Sequence, residues 1–265
     1  MSDTLLFHKT YHHPTSKDWV VFVHGAGGSS SIWCKQIKAY KQHFNLLLID
    51  LRGHGKSNRL LKDLIAKRYT FQGVSRDILH VMDHLDIQAA HFVGMSLGTI
   101  IVRTAAEIAP QRVLSMVLGG AVTRFNTRSQ LLVVLGDIFK HVIPYMWLYK
   151  LFAYIVMPQR NQRQSRLLFI REAKKLCQKE FKRWYILTSE VNPLMRYFKE
   201  TELAIPTLYV MGELDYMFIQ PVKEMVAAHK FSQLHEIADC GHVCNVERPD
   251  EFNQRSIQFI QNHMS

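Results

Sequence analysis

The sequence of 265 residues is long enough for one α/β domain with a substantial core. Its content of 48% hydrophobic and 21% charged residues, with 8 prolines and 13 glycines, excludes the disordered and fibrous classes. The formal net charge of +11 would suit a polyanionic partner, but no zinc-finger spacing, aromatic RNA-binding pattern or recognition helix accompanies it. We therefore expect no nucleic-acid partner.

The positive charge is concentrated in one part of the chain. Residues 121–200 contain 15 Lys and Arg residues against 5 Asp and Glu residues. The rest of the chain contains 18 Lys and Arg against 17 Asp and Glu. The basic character therefore belongs to one segment rather than to the whole protein.

Two features of the sequence indicate the compartment. The amino-terminal residues lack a basic stretch followed by a long apolar run, so no secretory signal is predicted. The cysteines have unrelated spacings, which favours a reducing environment over a disulfide framework; they are Cys34, Cys177, Cys240 and Cys244. We expect a cytoplasmic protein.

The first half of the chain alternates short apolar runs with amphipathic segments. Strands are predicted at residues 19–25, 45–53, 90–94 and 113–120. Helices are predicted between them, at residues 29–44, 71–86 and 97–110. Continuous apolar strands separated by helices indicate a parallel sheet covered on both faces.

This alternation stops after residue 120 and resumes near residue 205. A strand is then predicted at 205–215, a helix at 220–229, a strand at 233–237 and a final helix from about 248. The segment between, residues 121–200, lacks convincing strands and has a mostly helical pattern. We predict a core of residues 1–120 and 201–265, with 121–200 as a helical cap inserted over the end of the sheet.

The most apolar part of the predicted cap is residues 131–158. Charged residues and a proline break it into runs too short to span a bilayer; they are Asp137, Lys140, His141, Pro144 and Lys150. Aromatic side chains such as Tyr145 and Trp147, with Lys and Arg nearby, suit either the lining of an apolar substrate pocket or peripheral contact with an anionic membrane.

The stretch GMSLG, residues 94–98, fits the pattern GxSxG at a predicted strand-to-helix junction. Its glycines allow a tight bend whose backbone closely approaches the neighbouring strand and helix. The bend also points the start of the helix at Ser96, so that the Leu97 amide can donate to an oxyanion. The pattern predicts Ser96 as a nucleophile.

A serine nucleophile needs a base, and the base needs an orienting acid. Asp215 follows a predicted strand, and His242 lies in the loop between the last strand and the last helix. Both come at carboxyl ends of strands, as Ser96 does, and this edge is where open parallel sheets bind ligands. The segment HGAGGSS, residues 24–30, follows the first predicted strand and offers the Ala26 amide as a second oxyanion donor.

The segments HGAGGSSSIW, DLRGHGKS, GMSLG, GELD and CGHVCNVERPDEF occur in the order and spacing typical of the α/β-hydrolase superfamily, which the chain resembles over almost its whole length. The resemblance implies an eight-stranded, mostly parallel sheet, with Ser96 as nucleophile, His242 as base and Asp215 as acid. The segment before Trp19 is too short for a full first hairpin, so the first strand is expected to be short or missing.

We expect the substrate pocket to surround Ser96. In addition to the two aromatic residues of the cap, its lining is predicted to include His24, Gly25 and Met95.

Other acidic residues compete for the place of Asp215. Glu213 lies at the end of the same strand, although the pattern of the superfamily places the acid at the second of the two positions. Asp239 is too close in sequence to His242, and Asp137 belongs to the predicted cap.

Rival bases and cofactor sites are less well supported. His24 and His54 lie in His-Gly turns and are second choices for the base. Cys240 and Cys244 flank the predicted base but match no zinc spacing, and RGHGKS, residues 52–57, lacks the leading glycine of a phosphate loop. We expect no metal and no cofactor.

The expected reaction is hydrolysis of a carboxylic ester through an acyl-enzyme on Ser96. The substrate is expected to be a small apolar molecule, and the basic cap would allow it to be anionic. The same machinery serves lactonases, thioesterases, C–C bond hydrolases and, where a closed cap excludes water, acyl transfer. In a different class, the pocket would serve a ligand-binding or signalling protein with little turnover.

Overall fold

A largely parallel sheet organises the chain. The computed structural model describes residues 5–57, 68–123, 145–187 and 191–264. The strands are β1 (His8–Tyr11), β2 (Trp19–Val23), β3 (Asn45–Ile49), β4 (Ala90–Met95), β5 (Val113–Gly119), β6 (Thr207–Gly212) and β7 (Ser232–Ile237). Their spatial order is β1-β3-β2-β4-β5-β6-β7, with β1 antiparallel to β3 and every other pair parallel.

The sheet of the described residues has seven strands rather than the eight that the superfamily pattern implied. Only β1 precedes Trp19 there, as the short amino-terminal segment led us to expect. The chain after β1 is tied down as a loop, because the His13 amide donates to Asn45 Oδ1 at 2.8 Å and the Asn45 side-chain amide donates to the carbonyl of Ser16 at 2.7 Å.

The helices lie on both faces of the sheet. They are α1 (Cys34–Tyr40), α2 (Phe71–His84), α3 (Leu97–Ile108), α4 (Tyr145–Val156), α5 (Arg163–Ala173), α6 (Gln178–Leu187), α7 (Val191–Glu200), α8 (Ile219–Ala228), α9 (Cys244–Glu247) and α10 (Pro249–Gln261). Alternate residues of β2 enter the two cores, with Val21 on the α2 and α3 side and Phe22 on the α1 and α10 side. A central strand buried on both faces explains the continuous apolar run WVVFV.

Helices α4–α7 all lie between β5 and β6, in the segment that the sequence predicted to be helical. We call them the inserted helices. Residues 124–144 of the same segment lie outside the described residues, and with them Asp137 and most of the interruptions in the apolar part 131–158. Within the part of the chain that the structure describes, each helix is too short or too polar to cross a bilayer.

Buried polar contacts fix the inserted helices to the core. The Trp184 indole on α6 donates to the carbonyl of Arg52 at 3.0 Å. On the same helix, Glu180 receives a hydrogen bond from the Tyr69 hydroxyl at 2.5 Å and pairs with Arg183 at 2.6 Å. These contacts hold α6 against the loop that follows β3.

We predict that Glu180→Ala lowers the free energy of unfolding by about 3 kcal/mol, because it removes one partner of a buried ion pair and the acceptor of the Tyr69 hydrogen bond. The Arg183 side chain is only 7% exposed. Urea denaturation would measure the loss. As the control, Lys223→Ala breaks an ion pair whose two side chains are 42% and 38% exposed, and should cost less than about 1 kcal/mol. Equal losses in the two variants would contradict the prediction.

Gly98, in the first turn of α3, packs directly on the end of β2. A Cβ at this position would overlap the carbonyl oxygen of Val23 and lie 2.8 Å from that of His24. Alanine gains about 1 kcal/mol over glycine within a helix. Two backbone oxygens cannot move aside as a side chain can, so the overlap is expected to outweigh this gain.

We predict that Gly98→Ala destabilises the protein by about 1–3 kcal/mol, measured by urea denaturation. Gly73→Ala in α2 is the matched control, since its Cβ would meet a side-chain atom, Thr70 Oγ1, at 3.0 Å. The control should stay close to wild type in stability. A Gly98→Ala variant as stable as wild type would refute the argument from backbone overlap.

Candidate active site

Ser96 occupies a strained turn between β4 and α3. Its backbone angles are φ 54° and ψ −123°, in a region that residues with a side chain rarely adopt. The Ser96 amide donates to the carbonyl of Gly119 at 2.9 Å, which anchors the turn to β5. A Cβ on Gly94 would lie 2.9 Å from the carbonyl oxygen of Gly98, so the glycines of GMSLG are required by close packing across the turn.

A continuous hydrogen-bonded chain joins Ser96 to two other buried side chains. Its hydroxyl oxygen lies 2.8 Å from His242 Nε2, and His242 Nδ1 lies 2.8 Å from Asp215 Oδ2. With Nδ1 protonated and donating to the carboxylate, Nε2 is free to accept the serine proton. The structure thus brings together the three residues that the sequence singled out, and this arrangement can activate a hydroxyl.

The structure also separates Asp215 from its rivals. Asp215 follows β6 and is buried, whereas Glu213 is exposed and accepts a hydrogen bond from the Asp239 amide at 3.2 Å. Asp239 is itself exposed. Of the acids considered within the described residues, Asp215 is therefore the one in contact with His242.

The loop after β2 closes over the Ser96 turn. A Cβ on Gly25 would lie 2.9 Å from the carbonyl oxygen of Met95 and 3.0 Å from Ser96 Cβ, so only glycine fits between the two segments. Leu97 is the first residue of α3, where backbone amides have no partner inside the helix. Leu97 and Ala26, the residue after Gly25, therefore both lie next to the contact between this loop and the Ser96 turn.

His24 and His54 support this loop from behind. His24 Nε2 accepts a hydrogen bond from the Leu51 amide, and its Nδ1 donates to the carbonyl of Gly25. His54 Nε2 accepts from the Gly27 amide. Burial lowers the pKa of both rings, that of His54 to about 3, so both remain neutral at pH 7. Both rings are engaged by the backbone, which removes them as rival bases.

A cavity of about 60 Å³ lies beside Ser96 and opens to solvent. Its walls are mostly apolar and come from the core loops and the inserted helices. They consist of Gly25, Ala26, Gly28, Ile32, Met95, Ser96, Phe152, Val156, Met157, Ser165, Leu168, Phe169, Glu172, His242 and Val243. Gly25 and Met95 thus line the pocket as predicted, whereas His24 lies behind the loop and does not.

The prediction that Trp147 and Tyr145 line the pocket is wrong. Both lie on α4, but the cavity is lined by Phe152 and Val156, one turn apart on another face of that helix. Trp147 points away and is 68% exposed. Tyr145 packs on Phe181, and its hydroxyl donates to the carbonyl of Leu176 at 2.6 Å.

Helix α5 supplies the lining residues that sequence reasoning missed. Ser165, Leu168, Phe169 and Glu172 follow the spacing i, i+3, i+4, i+7 of one helix face. This spacing was visible in the sequence, but it does not say whether the face meets a cavity, the core or a neighbouring helix.

Glu172 is the acidic side chain among these lining residues. Burial alone would raise its pKa, but hydrogen bonds from Lys175 and Ser29, together with the charge of Arg171, outweigh burial and hold the pKa below its usual value. Lys175 Nζ lies 2.7 Å and 2.8 Å from the two carboxylate oxygens, and the Ser29 hydroxyl donates at 2.8 Å. Glu172 is therefore ionised at neutral pH.

Comparison with known proteins agrees with this geometry. The family described as alpha/beta hydrolase fold matches residues 18–142. The 3-oxoadipate enol-lactonase 1 of Acinetobacter baylyi is 23% identical over 94% of this chain and 90% of its own, and the putative carbamate hydrolase RutD of the same species is 27% identical over 94% and 96%. A solved structure of a thermophilic esterase from Thermogutta terrifontis, with malate bound, superposes with a TM-score of 0.80 at 17% identity, covering 98% of this chain and 94% of the other.

The matched segment contains β2, the strained turn at Ser96 and the loop that closes over it, and the structural likeness extends over both cores and the inserted helices. The chain therefore has the α/β-hydrolase fold, and its residues 18–142 match the family of that description.

Proposed function

We propose that the protein is a serine hydrolase that cleaves a carboxylic ester through an acyl-enzyme on Ser96. The observation that carries the proposal is the unbroken chain from Ser96 through His242 to Asp215, with 2.8 Å at each of its two contacts. Ser96 Oγ attacks the acyl carbon while its proton passes to His242 Nε2, and Asp215 stabilises the imidazolium that forms. His242 then protonates the departing alcohol as its bond to the acyl carbon breaks.

The backbone amides of Ala26 and Leu97 are proposed to hold the oxyanion of the tetrahedral intermediates. Preorganised donors of this kind typically contribute about 10²–10³-fold to the rate each. The proposal is supported by the approach of the loop after β2 to the turn, where the Cβ position of Gly25 lies 3.5 Å from the Leu97 nitrogen. Water activated by His242 next attacks the acyl carbon and releases the acid and free Ser96. These steps require no metal and no cofactor.

We further propose that residues 121–200 act as the cap of this site and that a small-molecule ester occupies the cavity between cap and core. The mainly apolar walls support an apolar acyl or alcohol part. Lactones, thioesters, carbamates and C–C bonds next to a carbonyl are alternative substrates of the same machinery. The relatives named as an enol-lactonase and a carbamate hydrolase support hydrolysis at a carbonyl centre, and a ligand-binding protein with little turnover is the alternative of another class.

A cytoplasmic location is part of the proposal. The four cysteines are all free thiols, and two of them, Cys240 and Cys244, are buried, where burial raises the pKa of each thiol. Cysteines that are all free rather than paired in disulfides are typical of proteins in a reducing compartment.

We predict that Ser96→Ala loses at least about a thousandfold in kcat/KM with p-nitrophenyl esters of graded chain length, because the nucleophile is removed while the fold is kept. Thermal melting of the variant should match wild type. A fluorophosphonate that labels wild type and leaves Ser96→Ala unlabelled would identify the reacting hydroxyl. If wild type hydrolyses none of the esters but binds a small molecule tightly, the result would favour the ligand-binding alternative.

A second candidate function is contact with an anionic membrane. Trp147, Leu151 and Tyr154 are exposed at the spacing i, i+4, i+7, so they share one face of α4. Residues 145–187 contain ten Lys and Arg against two Asp and Glu. Phe152 is partly exposed beside this face and also lines the cavity. The cavity would therefore lie close to the lipid surface, where an apolar substrate could enter it.

We predict that the protein floats with vesicles that contain anionic lipid and that the double variant Trp147→Ala, Leu151→Ser binds them at least about fivefold less, since it removes the apolar contact. Phe231→Ser is the control, because Phe231 is also exposed but lies outside the inserted helices. Binding to neutral vesicles should be weaker and binding to anionic vesicles should fall with salt. Equal recovery of the protein with neutral and with anionic vesicles would contradict the electrostatic part of the proposal.

A further inference from the structure

The charge that faces the cavity is opposite in sign to the charge of the segment that covers it. Among the described residues that line the cavity none is Lys or Arg, and Glu172 is an ionised carboxylate in the wall. The described cations that pair with it, Lys175 and Arg171, have side chains 53% and 68% exposed and do not line the cavity. At this place the inserted helices therefore present a carboxylate to the cavity and its paired cations to solvent.

Glu172 is built into the wall rather than placed there by a mobile side chain. Its own side chain is 1% exposed, and the hydrogen bond from Ser29 at 2.8 Å ties it to the loop after β2, close to Gly25 and Ala26. Lys175 contacts both carboxylate oxygens but does not itself line the cavity. The anionic member of the pair therefore lies in the cavity wall, and the cationic member lies behind it.

Helix α5 carries a second polar group on the same face. Ser165 lies two turns, about 10 Å, before Glu172 along the helix axis and also lines the cavity. Its hydroxyl is buried and has no hydrogen-bond partner among the described residues. The polar groups that α5 offers to a substrate are thus a neutral hydroxyl and an anion, with apolar Leu168 and Phe169 between them.

We propose that Glu172 makes this cavity selective for uncharged esters, accepting a hydrogen bond from a neutral N–H or O–H group of the substrate and excluding esters whose acyl or alcohol part carries a carboxylate. The inference rests on the proposed ester hydrolysis at Ser96. It replaces the expectation, drawn from the basic segment, that an apolar substrate is also allowed to be anionic. A substrate carboxylate would have to leave water and approach a like charge, with no Lys or Arg among the described lining residues to pair with it, and such a juxtaposition costs several kcal/mol.

The test compares two p-nitrophenyl esters whose acyl chains have equal length and end in a carboxamide or in the isosteric carboxylate. Wild type should have a kcat/KM at least about a hundredfold higher for the carboxamide, as expected from a penalty of several kcal/mol. Glu172→Gln keeps the shape and an acceptor for Ser29 but removes the charge, so this ratio should fall at least about tenfold.

Ser165→Ala is the matched control, because it changes a polar lining residue on the same helix face without changing charge. It should leave the carboxamide-to-carboxylate ratio within about twofold of wild type, whatever it does to either rate. A wild-type preference for the carboxylate, or an unchanged ratio in Glu172→Gln, would overturn the inference while ester hydrolysis stands. If neither ester shows turnover that depends on Ser96, the proposed function fails and the inference with it.

Discussion

The backbone of Ser96 is the constraint on which the site depends. A residue with a side chain is held at positive φ because the strand before it and the helix after it are fixed by packing on both sides. Gly94 and Gly98 let these two elements approach each other and β2, and the hydrogen bond to Gly119 ties the turn to the neighbouring strand. Packing across the sheet therefore holds Ser96 in its strained conformation. The Ser96 hydroxyl is fixed at the sheet edge, within reach of His242 and of the loop after β2.

At the same edge of the sheet, the buried backbone N–H and C=O groups of the loops need hydrogen-bond partners from the protein, because water does not reach them. Two buried histidines do this on the β2 side, with ring nitrogens that bond to Leu51, Gly25 and Gly27. Because burial keeps both rings neutral, they contribute no charge beside His242, which gains a proton in the proposed mechanism. The histidines differ in their partners: backbone groups for His24 and His54, and a hydroxyl and a carboxylate for His242.

Sequence reasoning succeeded where the determinant was local. Continuous apolar runs located β2–β6, and the turn between β4 and α3 carries its own signature in GMSLG. It failed on α4 and α5, where the outcome depends on which face of a helix meets the core. Trp147 and Phe152 are both aromatic residues of α4, yet one faces solvent and the other the cavity. In the sequence, Ser165 and Glu172 are indistinguishable from other polar residues of a basic helix. Only the fold shows that they line the cavity.

Net charge and cavity charge are separate quantities, and this protein shows why. Lys and Arg carry long side chains whose heads remain in water, so a basic helix readily turns its cations outward and uses the opposite face for packing. Glu172 is shorter and, once held by Ser29 and Lys175, stays ionised in an apolar wall. A positive exterior attracts anionic surfaces over a distance of about 10 Å, whereas selection of a substrate occurs at contact, after water is lost. The proposed attraction to a negative surface and the proposed selection of uncharged esters are therefore compatible within one segment.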